Sequence, residues 1–477
     1  MSEGARPRGA FLAHGLAIPF AAMRVLGVGH ELSLGSMYLA LLREGHEVRV
    51  FVDDAECTAT LAGLVQTTPD WRAELDWVRG AGSEGVVVFE TASHGEVQEQ
   101  LRADGFHVIG GSAFGDRLES DRAFGQRVMQ EVGMRVAPTH VFEAFDDAIA
   151  FVRARPGRYV YKPSGIGFAS GRTFLGDMPD GADLLAYLRL QREGWPPGEP
   201  ERLVLMERLV GVEVGVGAYF DGRRFLQPAC LDWEHKRFFA GDLGELTGEM
   251  GTLVTYRGSE RLFQETLGRM ESRLREGGYR GYININTIVD DDGVHPLEFT
   301  CRFGYPGFAI LQPLQGCGWP ELFRRMSGDH PLAATPFPTR DGYCVGVVLT
   351  VPPFPYAAGY DRLSKGLPVL FRRPLDDEDR SHVHLGEVAL HGAAPGQLLP
   401  AGEASRRQLV TSGVVGYVMV VTGCGLTVAQ AREAAYRRAA AVCLPNGRHR
   451  LDIGERFMAT DEARLQQLGW LPPAPRH

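Results

Sequence analysis

The sequence has few cysteines and no long apolar run, and both absences exclude classes of protein. No uninterrupted apolar stretch is long enough to span a bilayer, so a membrane protein is not expected. The cysteines include no C-x-x-C pair and no histidine spacing typical of zinc, so we expect reduced and mostly buried thiols. There are seven: Cys57, Cys230, Cys301, Cys317, Cys344, Cys424 and Cys443.

An excess of positive charge is also absent. The chain has 50 Lys and Arg against 59 Asp and Glu, which gives a net charge of -9. Surfaces that bind nucleic acid or anionic membranes are rich in clustered Lys and Arg, so neither partner is expected. No convincing Ser/His/Asp or Cys/His set is present, which argues against a protein nucleophile. We expect a cytoplasmic monomer or homodimer that acts on small molecules.

The first 22 residues superficially resemble a secretory signal, because Arg6 and Arg8 precede an apolar stretch from Phe11 to Ala22. Met23 and the residues after it, however, run directly into the first expected strand of a globular domain. We therefore expect residues 1–22 to be a leader, either disordered or added by an upstream start codon.

The chain has 477 residues, 44% of them hydrophobic and 23% charged, as in a globular protein of two to four domains. Its opening alternates β-prone runs with a helix-periodic segment, which predicts a parallel sheet with helices on both faces. The predicted elements are strand Val25–Gly29, helix Gly35–Arg43 and strands Val48–Val52, Gly85–Phe89 and His107–Ile109.

A second domain is predicted to begin with a helix from Leu118 to Val132, which Pro138 ends. A third is predicted after a proline-rich break at 331–338, and it closes with a helix from Thr427 to Ala441.

Two tight-turn dipeptides, Asp221-Gly222 and Asp292-Gly293, predict antiparallel hairpins within the second domain. Between the hairpins, four apolar residues at helical spacing predict one face of a long helix. They are Phe263, Leu267, Met270 and Leu274.

Lys162 ends the β-prone run Tyr159–Lys162 and enters a glycine- and serine-rich stretch from Pro163 to Arg172. An ammonium beside unhindered backbone N–H groups suits phosphate binding. Taken alone, the stretch is equally well explained as an ordinary surface loop.

The segment Leu203–Glu213 is an apolar strand that breaks into a short linker carrying Glu207 and Glu213. Such a linker offers backbone groups to an adenine edge and a carboxylate to two ribose hydroxyls. A strand end with solvated acids is the alternative. The presence of Lys162 upstream favours the nucleotide site.

Glu298, Thr300 and Arg302 alternate onto one face of a further strand. Oxygens of Glu298 and Thr300 suit Mg²⁺, and the guanidinium of Arg302 suits a transferring phosphoryl group. A salt-bridged edge strand is the alternative.

In this order and spacing, the three segments resemble those of ATP-grasp ligases, and nearly all of residues 23–460 resembles the glycinamide ribonucleotide synthetase (phosphoribosylamine–glycine ligase) family. Leu118–Phe124 resembles the family's L-E-G-S-K-A-F, with Arg122 in place of the nucleotide-contacting lysine. Arg302–Pro306 resembles R-F-G-D-P. Other segments that resemble family motifs are Glu234–Arg237, Gly241–Gly244, Thr247–Gly251, Leu409–Gly413, Thr427–Tyr436 and Arg450–Gly454.

The resemblance implies an α/β protein with the ATP-grasp fold. It implies a preATP-grasp, Rossmann-like N-terminal domain over 23–117 and an ATP-grasp core over 118–335, with a lid over about 137–203. A C-terminal α/β domain would cover 336–477. ATP would lie between lid and core.

The resemblance also implies the cofactors and the residues that hold them. ATP is expected with Mg²⁺, or with Mn²⁺ as the alternative metal, at Glu298 and Thr300, while Lys236 and Arg302 are the expected catalytic residues. The expected nucleotide-binding residues are Arg122, Lys162, Gly165, Gly167, Ser170, Gly171, Glu207, Arg208, Leu209 and Glu213.

Departures from the family motifs fall near the expected substrate pockets. The family's opening phosphate loop is replaced by a segment that contains His30, Glu31 and Ser33, which weakens a ribose-phosphate site. Glu245 and Tyr305 are expected to reshape the pocket for the carboxylate substrate, and Thr247 and Glu249 are the other residues expected at this substrate site.

The sequence therefore predicts an ATP-dependent ligase that joins a carboxylate and an amine through an acyl phosphate. The interpretation we favour at this point is a diverged member that acts on small acids and amines in specialised metabolism. An authentic phosphoribosylamine–glycine ligase of purine biosynthesis is one alternative. A non-catalytic regulatory homologue that binds nucleotide is the other.

Overall fold

The computed structural model describes residues 22–163, 173–328 and 330–473. The predictions made for the leader and for the loop residues Gly165, Gly167, Ser170 and Gly171 lie outside the described residues. In the described part of the chain, no helix is long and apolar enough to cross a membrane.

The N-terminal unit is a parallel sheet with strand order β2-β1-β3-β4. Its strands are apolar on both faces: Val25 packs into the main core, whereas Leu26 and Val28 pack into a second cluster on the other face. The predicted opening is confirmed. The elements are β1 Arg24–Gly29, α1 Gly35–Arg43, β2 Glu47–Val52, α2 Leu75–Arg79, β3 Gly85–Phe89, α3 Gly95–Ala103 and β4 His107–Ile109.

The helix predicted over Leu118–Val132 is broken at Asp121. The chain forms α4 Ala113–Ser120 and then α5 Arg122–Glu131. The Asp121 carboxylate caps α5 by accepting a hydrogen bond from the Phe124 N–H at 2.9 Å. The break places Arg122 at the start of α5, where its side chain turns toward the core sheet described below.

The next unit is an antiparallel sheet with strand order β5-β8-β6-β7 and its own hydrophobic core, in which Phe145, Tyr161, Leu184 and Leu205 are fully buried. It covers much of the predicted lid, and we call it the lid. Its elements are β5 Thr139–Phe142, α6 Phe145–Ala154, β6 Tyr159–Pro163, β7 Phe174–Leu175, α7 Ala182–Glu193 and β8 Leu203–Glu207.

Two antiparallel hairpins follow, at the positions that the Asp-Gly turns predict: β9 pairs with β10 and β14 with β15. The single long helix predicted between them is wrong. Two short helices stand there, separated by a 3₁₀ turn over Leu267–Met270. The elements are β9 Val212–Phe220, β10 Phe225–Glu234, β11 Arg237–Phe239, β12 Leu243–Leu246, β13 Gly251–Thr255, α8 Glu260–Glu265, α9 Glu271–Glu276, β14 Gly281–Asp290 and β15 Gly293–Thr300.

The last part of the chain contains a helix that Thr427 and Gln430 cap reciprocally, close to the predicted Thr427–Ala441. Its elements are α10 Gly307–Leu311, α11 Trp319–Met326, β16 Tyr343–Thr350, α12 Tyr360–Leu363, β17 Leu370–Phe371, α13 Asp377–Ser381, β18 Val383–Leu385, β19 Val388–Leu390, α14 Ala401–Ala404, β20 Leu409–Thr411, β21 Tyr417–Gly425, α15 Val428–Ala441, β22 Val442–Cys443 and α16 Glu462–Gln467.

One antiparallel sheet of eight strands, the core sheet, joins the second half of the chain. Its order is β15-β14-β9-β10-β13-β16-β21-β18. The sheet runs without interruption across the boundary predicted between residues 335 and 336, because β13 pairs with β16. The strands after this boundary therefore extend the core sheet.

Candidate active site

A cavity of about 680 Å³ lies between the lid and the core sheet. Its volume is in the range of small-molecule sites. Most of the predicted site residues that the structure describes line it: Arg122, Lys162, Glu207, Arg208, Leu209, Glu213, Lys236, Thr247, Glu249, Glu298, Thr300, Arg302 and Tyr305.

One end of the cavity is apolar. Val160, Leu175 and Met206 line it from the lid, and Ile288 and Leu297 line it from the core sheet. A flat aromatic ring placed there would have apolar side chains on both faces.

The linker beside this apolar end is fixed to the lid by its own hydrogen bonds. The Glu207 N–H donates to the Pro138 carbonyl at 3.0 Å. The Arg208 guanidinium lies 2.6 Å from the Asp177 carboxylate and 3.0 Å from the Gly176 carbonyl. These contacts hold the linker at the cavity edge.

A cluster of three charged side chains forms the centre of the cavity. The Glu298 carboxylate on β15 lies 3.0 Å from the Lys162 ammonium on β6 and pairs with the Arg122 guanidinium on α5. Burial alone would raise the pKa of Glu298, but the charges of Lys162, Arg122 and Lys236 hold it well below its usual range. Glu298 is therefore ionised at neutral pH.

Lys236 lies beside this cluster, 3.0 Å from the Glu234 carboxylate and 3.4 Å from that of Glu213. Burial would lower the pKa of Lys236, yet Glu234, Glu213 and Glu298 raise it well above the ordinary value. The ammonium is therefore charged. Glu213, predicted for the ribose, is in this structure a partner of Lys236.

Arg302 is held in place by a residue to which the sequence analysis assigned no role. The Glu119 carboxylate, in the last turn of α4, accepts from Arg302 Nε at 3.0 Å and from the Cys301 N–H at 2.6 Å. The only feature of the sequence that pointed to Glu119 was its place in the segment that resembles a family motif and also contains Arg122.

The predicted metal ligands Glu298 and Thr300 both line the cavity, and they are opposite Asn286 and Asn284 in the β14–β15 register. Among the described residues, no group of three or more His, Cys, Asp and Glu has the arrangement of a metal cage. Mg²⁺ is commonly held by one or two carboxylates together with substrate phosphates. Glu298 and Thr300 fit such a partial ligand set.

A row of polar side chains, which the sequence analysis missed, crosses the core sheet above β9. Asn284 donates to the Asp232 carboxylate at 2.6 Å, and Asn286 donates to Glu234 at 3.3 Å. Gly215 makes the row possible, since a Cβ there would lie 2.1 Å from Asp232 Oδ1. The sequence could have indicated this row, because the alternation of side chains along β14 places Asn284 and Asn286 on the same face of the strand.

The predicted N-terminal substrate residues are not part of this cavity: His30, Glu31 and Ser33 do not line it. At the start of α1, a buried carboxylate, Glu90, accepts from the Tyr38 hydroxyl at 2.7 Å and from the Leu34 N–H at 3.4 Å. Burial raises its pKa to about 7.

The predicted acyl-pocket residues separate into two groups. Thr247, Glu249 and Tyr305 line the cavity, and the Tyr305 ring packs against that of Tyr417 with centroids 4.9 Å apart. Glu245 does not line it, and its carboxylate lies 3.4 Å from the Tyr356 hydroxyl. Glu245 stands on β12 between Asp242 and Leu246, which do line the cavity, so its role in the substrate pocket stays a prediction.

The hairpin β11–β12 is anchored by the C-terminal motif-like segment. The buried Arg450 forms two hydrogen bonds with Asp452, at 2.8 and 2.6 Å, and one with Asp242 at 2.9 Å. Asp452 in turn accepts from the Gly241 N–H at 2.9 Å. This network fixes the segment that leads from Lys236 to Glu249.

Known proteins resemble the chain over this region and beyond. Residues 120–308 match the family model described as phosphoribosylglycinamide synthetase, ATP-grasp (A) domain. The phosphoribosylamine–glycine ligase of Chlorobaculum tepidum is 26% identical over 453 residues, which cover 91% of this chain and 100% of that protein. That of a Nostoc species is 27% identical over 368 residues, 76% of this chain and 81% of that protein.

Solved structures give the same result. The phosphoribosylamine–glycine ligase of Thermotoga maritima matches with a TM-score of 0.66 at 22% identity, over 90% of this chain and 100% of that one. A biotin carboxylase of Campylobacter jejuni matches with a TM-score of 0.57 at 10% identity, over 89% and 92%. The predicted ATP-grasp fold is therefore confirmed, and so is the predicted resemblance to glycinamide ribonucleotide synthetases.

Proposed function

We propose, from the premise that the chain is an ATP-grasp ligase that forms a C–N bond and releases ADP, that it joins glycine to phosphoribosylamine. The curated relatives named above carry this activity in their names. They support this pair over the small acids and amines of specialised metabolism, which the sequence analysis favoured.

The observation that carries the proposal is the cluster of Lys162, Arg122 and Glu298 between lid and core. Two cations from different units converge on one ionised carboxylate in a cavity that apolar side chains of the lid and the core sheet also line. Phosphoryl transfer depends on positioning and on charge neutralisation by such groups.

The residues present fit ATP and a divalent metal, Mg²⁺ or Mn²⁺. Glu298 and Thr300 offer the hard oxygen ligands that both ions prefer. Bound there, Mg²⁺-ATP would supply the phosphoryl group that converts the substrate carboxylate into an acyl phosphate, from which the amine would displace phosphate.

The protein's own residues then have distinct roles. Lys162 and Arg122 bind the phosphates, and Lys236 and Arg302 offset the negative charge that develops on the transferring group. Glu119 keeps the Arg302 guanidinium oriented. The nucleoside is held by the linker: Glu207, Arg208 and Leu209 border adenine, and Glu213 accepts from the ribose hydroxyls.

A second candidate, a ligase for a different amine, is favoured by Glu90. Backbone N–H groups at the start of a helix bind phosphate well. At the start of α1, the N–H groups of Ser33 and Leu34 already donate to the Glu90 carboxylate. A substrate phosphate would therefore need other donors.

ADP release from the purified protein with Mg²⁺-ATP tests the two candidates. One reaction contains glycine and phosphoribosylamine, and parallel reactions contain other amino acids with other amines. Turnover with the first pair supports the first candidate. Turnover only with another pair supports the second, and no turnover with any pair contradicts both.

A further inference from the structure

One wall of the cavity holds buried carboxylates that the phosphoryl-transfer chemistry does not use. Asp232 on β10 and Glu249 just before β13 both line the cavity, and each is only 6% exposed. They lie on the core-sheet side, beyond Lys236.

Each of these carboxylates keeps one oxygen without a hydrogen-bond partner among the described residues. The Asn284 amide donates to Asp232 Oδ2, but Asp232 Oδ1 has no donor there. Glu249 Oε1 is likewise without one. A buried carboxylate oxygen that lacks a donor is costly, so a ligand that brings donors would be stabilised there.

The neighbouring cation, Lys236, offsets the pair only in part, because its charge lowers the pKa of Asp232 and Glu249 by less than burial and the other carboxylates raise it. Lys236 forms ion pairs with Glu234 and Glu213, and no ion pair among the described residues reaches Asp232 or Glu249. Burial, together with the charge of Glu234, raises the pKa of Asp232 to about 8 and that of Glu249 well above its usual range. The protonated, neutral form of both groups is therefore favoured in the ligand-free protein, and a positive charge that enters beside them would favour their ionisation.

We infer that Asp232 and Glu249 form a subsite for the ammonium group of a substrate. A primary ammonium has three donors and one positive charge, which match the unpartnered oxygens of the two carboxylates. The inference rests on the proposed function, because the ligand is one of the two substrates of the ligase. The ammonium belongs either to the amino acid that is activated or to the acceptor amine.

The test measures the thermal stability of the full chain with three small probes at equal concentration and ionic strength. Glycine carries an ammonium and a carboxylate, ethylamine only the ammonium, and propionate only the carboxylate. At a tenfold excess over its Kd, a bound probe is expected to raise the Tm by about 1–2 °C.

The variants are Glu249→Gln and Asp232→Asn, each of which keeps the shape of the side chain and removes its capacity to ionise. Glu271→Gln is the matched control, since Glu271 lies on the surface helix α9 in an i,i+4 pair with Arg275. Both test variants should lose the Tm rise caused by the ammonium probe, whereas the control keeps it. The amides mimic the protonated carboxyl groups that the raised pKa values favour, so the ligand-free variants should be about as stable as the wild type.

Protection by glycine alone supports the subsite and assigns the ammonium to the amino acid. Protection by ethylamine as well supports it and assigns the ammonium to the acceptor amine. Propionate that protects as strongly as glycine, Mg²⁺ alone that does so, or protection that persists in both variants would overturn the inference. These results do not depend on turnover, so they separate a failure of the subsite from a failure of the proposed ligase reaction.

A kinetic readout applies once a substrate pair is known. Loss of one charge-assisted contact should raise the KM of the ammonium-bearing substrate by about 10- to 100-fold in Glu249→Gln. The KM for ATP should stay within about twofold, because neither Asp232 nor Glu249 is among the residues proposed to bind ATP. An unchanged KM for both substrates contradicts the inference.

Discussion

The ammonium of Lys162 lies 3.0 Å from the carboxylate of Glu298, although 136 residues separate the two in the chain. Lys162 belongs to the lid and Glu298 to the core sheet, so this contact joins the two walls of the cavity. A phosphate that enters the cavity would compete with Glu298 for the same ammonium. Nucleotide binding should therefore rearrange the contact between Lys162 and Glu298.

Glu298→Ala and Glu298→Gln should each reduce ADP release by at least about 100-fold, because both remove the ionised oxygen proposed for the metal. The fold should be largely kept, since Glu298 lies outside the hydrophobic core, but the Tm should fall because Lys162 and Arg122 lose their carboxylate partner. Steady-state ADP release and a thermal melt measure the two effects. Glu271→Gln is the control, and normal turnover in Glu298→Gln would remove Glu298 from the metal site.

Lys236→Met should reduce kcat by about 100- to 1,000-fold, as expected when a preorganised charge at the transferring group is lost. The change also leaves Glu234 and Glu213 without the cation that lies 3.0 and 3.4 Å from them. The Tm should therefore fall as well. Lys365→Met is the matched control, since Lys365 forms an exposed i,i+4 pair with Asp361. Equal kinetics in the two variants would exclude a catalytic role for Lys236.

Local periodicity was enough to predict much of the fold. Alternation of apolar strands with a helix gave the N-terminal sheet, and the Asp-Gly turns gave both hairpins of the core sheet. The predicted helix through Phe263 and Leu274 failed for a physical reason: Thr266, with φ −125° and ψ −101°, leaves the helical region between α8 and α9. Apolar spacing continues across such a break, so the sequence pattern alone does not reveal it.

The candidate site was predicted in part for a similar reason. Residues that alternate on one strand, such as Glu298 and Thr300, are found from the sequence because their neighbours are local. Asp232, Asn284 and Glu90 were missed, because their importance comes from partners far along the chain. The Asp232–Asn284 hydrogen bond joins residues 52 positions apart, and the Tyr38–Glu90 hydrogen bond also joins residues 52 positions apart.

Glu90 should make stability depend on pH in a defined direction. Its pKa is raised from an ordinary 4.5 to about 7 by burial, so the folded protein holds its proton more tightly than the unfolded chain does. This contribution, about 3 kcal/mol, is fully present below about pH 4.5 and is lost as pH rises through about 7. Well above pH 7 Glu90 no longer adds to the stability.

Glu90→Gln removes this titration. Between pH 5 and pH 8 the free energy of unfolding of the wild type should therefore fall relative to that of the variant. Urea unfolding at several pH values measures it. Glu271→Gln is the control for a surface carboxylate. A difference that is constant over this pH range would show that Glu90 does not titrate as described.

Arg450 is expected to act on catalysis at a distance, by positioning the hairpin β11–β12. Its side chain is 1% exposed and forms a two-point contact with Asp452 and a third contact with Asp242. Arg450→Lys keeps the positive charge but replaces the planar guanidinium, with its several N–H donors, by a single ammonium. A lysine therefore cannot make the contacts to Asp452 and Asp242 together. The hairpin should then open more often, and Lys236, directly before it, should be less well placed.

Two measurements together distinguish this positioning role from a loss of folding. Amide hydrogen exchange should become faster over residues 237–246, while the strands of the N-terminal sheet keep the wild-type rate. The kcat should fall by about 10-fold, with the KM for ATP within about twofold, because the lid and β15 are untouched. Arg407→Lys is the matched control, since Arg407 pairs with Glu403 on the surface. Faster exchange throughout the chain would mean that Arg450 stabilises the whole fold, whereas unchanged exchange over 237–246 would mean that the hairpin does not depend on it.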